Sequence, residues 1–403
     1  MPTEQRNASR ILPLTVVSDA APVVPPPVPA NAVDIAAAER TAGRAGRVII
    51  DVAGVCQAKC PYCAQNSGKE RRKGIAGLPY MPPELFREII VHLRQSVAFV
   101  KKIDRVYLYN WGEPFLAPQI NEYLEILREN GLYAVISSNF QKVPEIKTEN
   151  LPTIKEVLFS LSGLTEATYG RIHGGAHIAV TKVFENFEAF NAKMKEHAPT
   201  SKIFMAWHRY QFNEHEFWKA YDYSRKQKVG FIPSVAFLND LSELIQAASN
   251  KFPAARRADA ERDLYFGHMV KSFGRYRDGG KLYDCPAWDD VVVDEQGRLL
   301  ICCGTDAKTA IGKVLDTSYD EMRRRKIASA LCKVCKETGV AEWAHNNHHD
   351  GNQLPWPSGG GLGVVRLKLA NDKWKVKNDI RHLLNKMPFG EAVLDVYRTF
   401  KHS

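Results

Sequence analysis

The chain reads as an α/β protein, a partial (β/α)6 barrel followed by a small cysteine-rich region. Two observations predict the barrel: six short runs of β-branched and aromatic residues, and helical patterns of apolar residues between them. A third predicts the smaller region, because cysteines cluster twice along the chain and the second cluster lies beyond the last of those runs.

The candidate strands are Arg47–Val52, Arg105–Tyr109, Tyr133–Ile136, Glu156–Leu161, Lys202–Trp207 and Val229–Val235. Their near-continuous apolar character suits strands buried on both faces of a parallel sheet. After the first run, Leu85, Phe86, Ile89, Ile90, Leu93 and Val97 recur at spacings of three and four, behind Pro82-Pro83 at a suitable helix start. Val180, Val183, Phe184, Phe187 and Phe190 repeat the pattern before the fifth run. Strands alternating with helices build right-handed βαβ units. The apolar stripes are core, with no cofactor role.

Composition bounds the organisation. At 403 residues, one large and one small domain are expected. Residues 1–45 form a Pro/Ala-rich segment expected to be disordered, 46–240 the barrel, 241–280 a helical linker, 281–345 the cysteine-rich domain and 346–403 a tail. In the tail, Ile380, Leu383, Leu384 and Met387 predict a packing helix. No secretory signal and no run of 18 apolar residues is present, so neither export nor a membrane span is expected. Cluster ligands account for seven of the eight cysteines, which needs no disulfides and points to a reducing cytoplasm. The net charge of +10 suits an anionic substrate or an acidic redox partner. Basic residues are scattered apart from Lys69–Lys73 and Arg323–Lys326, and there is no nucleic-acid-binding appendage.

The chemistry is concentrated at V-C-Q-A-K-C-P-Y-C, where Cys56, Cys60 and Cys63 stand in C-x3-C-x2-C spacing. Three thiolates can hold three corners of a [4Fe–4S] cube and leave one iron open to a ligand. Structural zinc would want a fourth ligand nearby, and none follows until far downstream. The run Asn110-Trp111-Gly112-Glu113-Pro114 closes the second strand, Ser137-Ser138-Asn139 the third, and Ser160-Leu161-Ser162-Gly163 the fourth. Ligands gather at the C-terminal ends of strands in parallel β/α folds. Toward the C-terminus, Cys285, Cys302-Cys303 and the C-x2-C pair Cys332 and Cys335 can complete a four-thiolate site, for a cluster or for zinc.

The C-x3-C-x2-C run, with Gly112-Glu113-Pro114 some fifty residues later, resembles the radical S-adenosylmethionine (SAM) superfamily. The later cysteines resemble its SPASM or twitch extensions, which hold auxiliary [4Fe–4S] clusters. The resemblance implies a radical SAM barrel with a SPASM/twitch-like domain, a SAM-binding [4Fe–4S] cluster on Cys56, Cys60 and Cys63, and SAM itself as cofactor. It assigns SAM contacts to Tyr62, Gly112, Glu113, Pro114, Ser138, Asn139 and Ser160, with Trp111 standing where the family has a glycine. It implies one auxiliary [4Fe–4S] cluster on Cys285, Cys332, Cys335 and either Cys302 or Cys303. The count from Gly297 points to Cys302, but the sequence leaves that choice open.

The implied reaction is reductive cleavage of SAM to methionine and a 5′-deoxyadenosyl radical that removes hydrogen from a substrate carbon. An electron donor such as flavodoxin or ferredoxin is implied as partner. The expected substrate is a small polar molecule, a carbohydrate or an anionic compound being candidates, and the outcome is dehydrogenation or epimerisation. Modification of a peptide or protein is the alternative, and a non-enzymatic Fe–S or zinc protein a remote one. The spare cysteine, Cys303 by the glycine count, is a candidate hydrogen donor. His208 and Arg209, at the end of the fifth strand, are read as proton shuttle and anion clamp. His345, His348 and His349 in H-N-N-H-H-D are read as an exposed polar loop between helices.

Overall fold

The computed structural model describes residues 46–64, 79–95, 104–174, 178–278, 284–350, 354 and 357, the backbone alone for 346–350. The first 45 residues, Lys69–Lys73, Val97, the tail from Ile380 to Met387 and the side chains of His348 and His349 lie outside the described residues.

Six parallel strands follow one another in chain order: β1 (Val48–Ile50), β2 (Arg105–Tyr107), β3 (Tyr133–Ser138), β4 (Ile154–Leu161), β5 (Lys202–Arg209) and β6 (Gly230–Val235). Each predicted run overlaps one of them, and β3, β4 and β5 each extend two residues beyond theirs. A sheet whose neighbours are consecutive strands winds in one direction and keeps its helices on one face, the arrangement of a barrel wall. The wall does not close. On the free side of β1 lies β7 (Val291–Val293), parallel and in register Val48↔Val291, followed by antiparallel β8 (Arg298–Leu299) and β9 (Gly312–Lys313). The nine-stranded sheet thus runs β6-β5-β4-β3-β2-β1-β7-β8-β9, and the cysteine-rich segment shares one sheet with the barrel.

The helices answer to the sequence pattern. Helix α1 (Pro83–Gln95) has proline at its first position, Glu84 in its first turn and Arg94 in its last, and buries Phe86, Ile89, Ile90 and Leu93. Helices α2 (Ile120–Glu129), α3 (Glu166–His173), α4 (Val180–His197) and α5 (Phe217–Lys226) follow on the outer face. Phe187 and Phe190 of α4 meet Phe115, Phe140 and Phe159 in edge-to-face and stacked contacts 4.3–5.5 Å apart. Each buried phenyl ring contributes roughly 1.5–3 kcal/mol, which makes this the anchor of the barrel wall.

Strand alternation sorts the two faces. Val157, Phe159 and Leu161 of β4 and Met205 and Trp207 of β5 are fully buried under the helices. Their neighbours Leu158, Ser160, Ala206 and His208 face inward and are only half-buried. A closed eight-stranded barrel fills its interior with side chains; six strands with a gap leave an accessible lumen.

Three helices, α6 (Leu241–Ala248), α7 (Ala254–Asp263) and α8 (Phe266–Asp278), pack with α10 (Ala330–Glu337) and α11 (Val340–Asp350) around a second core. Helix α9 (Tyr319–Ala328) precedes them. The H-N-N-H-H-D run is not a loop between helices. It lies within α11, because no glycine or proline interrupts the helix between Val340 and Asp350. Likewise β8 ends at Leu299, so Cys302 and Cys303 sit in the turn after it and not on a strand. Among the described residues no helix is long and apolar enough to cross a membrane.

Candidate active site at the mouth of the barrel

Cys56, Cys60 and Cys63 occupy the loop after β1, all half-buried. The loop is clamped from two sides. Tyr62 points away from the lumen: its hydroxyl donates to Asp263 Oδ2 at 2.8 Å and Asp259 O at 2.9 Å on α7, and its carbonyl accepts from Asn239 N at 3.0 Å. Arg256 Nη2 donates to Pro61 O at 2.7 Å, and its guanidinium lies 5.0 Å from the Tyr62 ring centre. On the other side, Lys59 N donates to His173 O at 3.1 Å.

The turn Asn110–Pro114 lies directly against this loop. Asp51, buried at the end of β1, accepts from Trp111 N at 2.9 Å, Gly112 N at 3.2 Å and Asn110 N at 3.3 Å. Glu113 N donates to Val55 O at 2.9 Å. Two backbones meet so closely that a Cβ on Gly112 would sit 1.5 Å from Ala53 O; only glycine fits. Trp111, at the position of the family's glycine, leaves the turn tight. Its indole Nε1 donates outward to Thr305 O at 3.1 Å, tying this turn to the loop carrying Cys302 and Cys303. Asp51 is a site residue that sequence reasoning missed; its only signal is the acidic residue closing an otherwise apolar strand.

Glu113 is buried, with Oε2 accepting from Asn139 N at 2.9 Å and Oε1 from Phe115 N at 3.1 Å. Burial pushes its carboxyl up to about 7, against the bonds from Asn139, Phe115 and the Ser138 hydroxyl that favour the anion. A cation beside it would restore the charged form. Asn139 is the hub: its Nδ2 points at Cys56 Sγ at 3.7 Å, and its Oδ1 accepts from Gln57 Nε2 at 3.0 Å and Gln141 N at 2.9 Å. The sharp bend that turns Asn139 inward puts the buried Phe140 at φ 56°, a left-handed conformation held by Ser138 Oγ accepting from Phe140 N at 3.0 Å. Ser138 therefore supports Glu113 and the bend, whereas Ser137 takes the lumen side of β3. Ser160 lies half-buried on the inward face of β4. Pro114 is buried and begins the short helical turn Pro114–Leu116.

The three thiols fit a metal cluster by their donors and their surroundings. Burial, then the nearby Glu113, pushes the Cys56 thiol up to about 12, so near neutral pH it keeps its proton, which a bound metal would displace. Besides Asn139 at Cys56, His173 Nδ1 lies 3.5 Å from Cys60 Sγ. Among the described residues, Gln57 Oε1 and His173 Nε2 are buried with no hydrogen-bond partner, beside the cysteines. Orphaned polar atoms of this kind mark a place for a polar ligand.

Among the inward-facing groups, Ser162 Oγ and His208 Nδ1 lie 3.3 Å apart, and burial lowers His208 to about 4, so it is neutral at pH 7. Arg209 corrects the anion-clamp expectation. Strand alternation turns it outward, where it is buried in a bidentate pair with Glu214 at 2.9 and 3.1 Å.

The structure separates Cys302 from Cys303. Cys302 packs in the second core with Cys285 and Cys335, whereas Cys303 packs beside Ile49, Val292 and Tyr107 on the lumen side of β1, β7 and β2. Cys332 and Cys335 stand three apart on α10, and thus on one helix face. Burial, then the adjacent Cys303, then Cys335 and Cys285 push the Cys302 thiol up, and burial, then Cys285 and Cys332 push up the Cys335 thiol. Cys285, Cys302, Cys332 and Cys335 are thus near neighbours, and Cys303 packs with the lumen-side group. Among the described residues no three His, Cys, Asp or Glu side chains crowd closely enough to hold a single metal ion. Four thiol donors suit either a four-thiolate cluster or zinc.

No family model and no curated protein matches the chain. It is similar to the solved structures of Streptococcus suis SuiB bound to precursor peptide SuiA (14% identity, TM-score 0.48, covering 73% of this chain and 67% of that one). It is also similar to BtrN in complex with AdoMet and 2-DOIA (13% identity, TM-score 0.36, covering 75% and 91%). A third is TYW1 with a lysine-pyruvate adduct bound (20% identity, TM-score 0.30, covering 48% and 63%).

Proposed function

We propose that the chain is a radical SAM enzyme with one auxiliary [4Fe–4S] cluster, acting on a small polar substrate in the barrel lumen. One observation carries this reading: Asn139 joins the cysteine loop to the Glu113 turn through contacts with Cys56 Sγ, Gln57 Nε2 and Glu113 Oε2. Cluster ligands and the group suited to an ammonium thus share one mouth of the barrel, as SAM chelation by an open iron requires.

Cys56, Cys60 and Cys63 would hold the cluster, Glu113 the SAM ammonium, and Asn139 and Gln57 the neighbouring polar atoms. Bound together, cluster and SAM supply a one-electron cleavage that yields a hydrogen-abstracting 5′-deoxyadenosyl radical. Asp51 keeps the turn in position through its three backbone donors. Tyr62 and Arg256 hold the loop under α7, excluding water from that side. His208, uncharged, can orient a substrate hydroxyl or take a proton from it. Ser160, Ser162 and Ser234 lie near it on the inward ends of β4 and β6, which suits a hydroxylated substrate. Eight free thiols suit a reducing cytoplasm, where a flavodoxin or ferredoxin would deliver the electron.

Dehydrogenation is the first reading of the outcome. Epimerisation is the second, favoured by the lumen-side position of Cys303, whose thiol could return a hydrogen atom. The test of the whole reading is iron content and SAM cleavage after anaerobic reconstitution. Wild type is expected to hold about eight irons, and a triple Cys56→Ala, Cys60→Ala, Cys63→Ala variant about four. Reduced wild type should release 5′-deoxyadenosine and the variant none. No release from fully loaded wild type overturns the enzyme assignment.

A further inference from the structure

Lys326 is a fully buried charged residue that the site described above does not use: its exposure is 0%. Lysine is almost never fully buried without a counter-charge. Its ammonium donates to two backbone carbonyls, Ala287 O at 3.0 Å and Asp290 O. Among the described residues no carboxylate lies within ion-pair distance of it. Asp290, whose backbone it holds, gives its carboxylate to Arg47 and acts on Lys326 only through space, followed by Cys302, Cys332 and Cys285. Both carbonyl partners belong to the segment that begins at Cys285, and Lys326 lies in the last turn of α9, which leads through Ser329 into α10 with Cys332 and Cys335. The buried cation is thus fixed at the four-thiol group. On the other side of Cys285, His345 Nε2 lies 3.4 Å from Cys285 Sγ, presented by α11.

Resting on the assignment of an auxiliary cluster, we propose that Lys326 is its buried counter-charge and that His345 donates a hydrogen bond to its Cys285 sulfur. Both are positioning residues that raise its reduction potential. A positive charge and an N–H donor each stabilise the more negative, reduced state of a thiolate-bound cluster. A raised potential makes the cluster an electron acceptor, which selects between the two outcomes above. In dehydrogenation the substrate gives up a hydrogen atom, then one electron and one proton. A cluster held by Cys285, Cys302, Cys332 and Cys335 would accept the electron and pass it to a one-electron carrier protein, and the proton would go to His208 or water.

The experiment is an EPR-monitored redox titration of full-length protein in the triple Cys56→Ala, Cys60→Ala, Cys63→Ala background, with iron counted in each sample. His345→Phe and Lys326→Gln should each keep about four irons and shift the reduction equilibrium about tenfold toward the oxidised form, about 59 mV for one electron. His345→Gln, which keeps an N–H donor, should titrate close to the parent. Unchanged midpoints at full iron content overturn the proposal. Iron loss in His345→Phe also overturns it, by making His345 a ligand. His345 is half-buried where Lys326 is fully buried, so it tests the idea even where Lys326→Gln destabilises the chain. Absence of iron in the parent sinks instead the auxiliary-cluster reading on which the proposal rests.

Discussion

Gly112→Ala is the most direct probe of the active-site geometry. The added methyl group would sit 1.5 Å from Ala53 O and 2.6 Å from Ala53 C, both backbone atoms of the cysteine loop's base. Contacts under 3.0 Å essentially never occur, so turn and loop must separate by about 1.5 Å. That movement strains the bonds from Asp51 to the turn and the bond from Glu113 N to Val55 O, and it carries the Glu113 carboxylate with it. A misplacement of about 1 Å in a positioned group can cost about 100-fold, and overpacking costs about 1–3 kcal/mol of stability. SAM affinity of the reconstituted variant, measured by equilibrium dialysis, should therefore fall about 100-fold. The protein should remain folded, with a modestly lower Tm and undiminished iron. Affinity within threefold of wild type would refute the reasoning, because the Glu113 turn could then shift without consequence for the ligand.

Two further outcomes follow from the inward face of the barrel. Cys303→Ser should leave iron content unchanged and retain turnover to an oxidised product; turnover lost at full iron content would transfer the decisive role to the thiol and favour epimerisation. His208, held neutral by burial with its value lowered to about 4, binds a proton only in the unfolded chain between pH 4 and its ordinary 6.5. Its contribution to stability is present above about pH 6.5 and disappears as pH falls toward 4. Urea midpoints measured from pH 7 to 4.5 should therefore fall more steeply for wild type than for His208→Gln, and parallel curves would rule out a buried neutral imidazole.

Much of this was legible in the chain itself. Strand runs such as Lys202–Trp207 were readable because burial on both faces demands continuous apolar residues, and α1 and α4 because one apolar stripe repeats at helical spacing. The three-cysteine spacing and Glu113 were readable because ligands on one short loop keep their geometry in sequence. Arg209 and the histidine run were misread. A residue's side of a strand depends on register, and His345 meets Cys285 from sixty positions away.

The amino-acid sequence by itself therefore determined the alternating β/α wall, the cysteine loop and the turn that faces it, since each is written in local spacing. Tertiary structure alone decided that β7 joins β1 and that Trp111 reaches Thr305. It likewise sent Cys302 and Cys303, neighbours in the chain, into different packing groups, one with Cys285 and Cys335 and one with Ile49 and Val292. The physical reason is that adjacent side chains in extended or turning backbone diverge, and which of two environments each enters depends on packing partners hundreds of residues away. Lys326 shows the same limit: nothing in R-R-R-K distinguishes a solvated charge from a fully buried one until the carbonyls of Ala287 and Asp290 close over it.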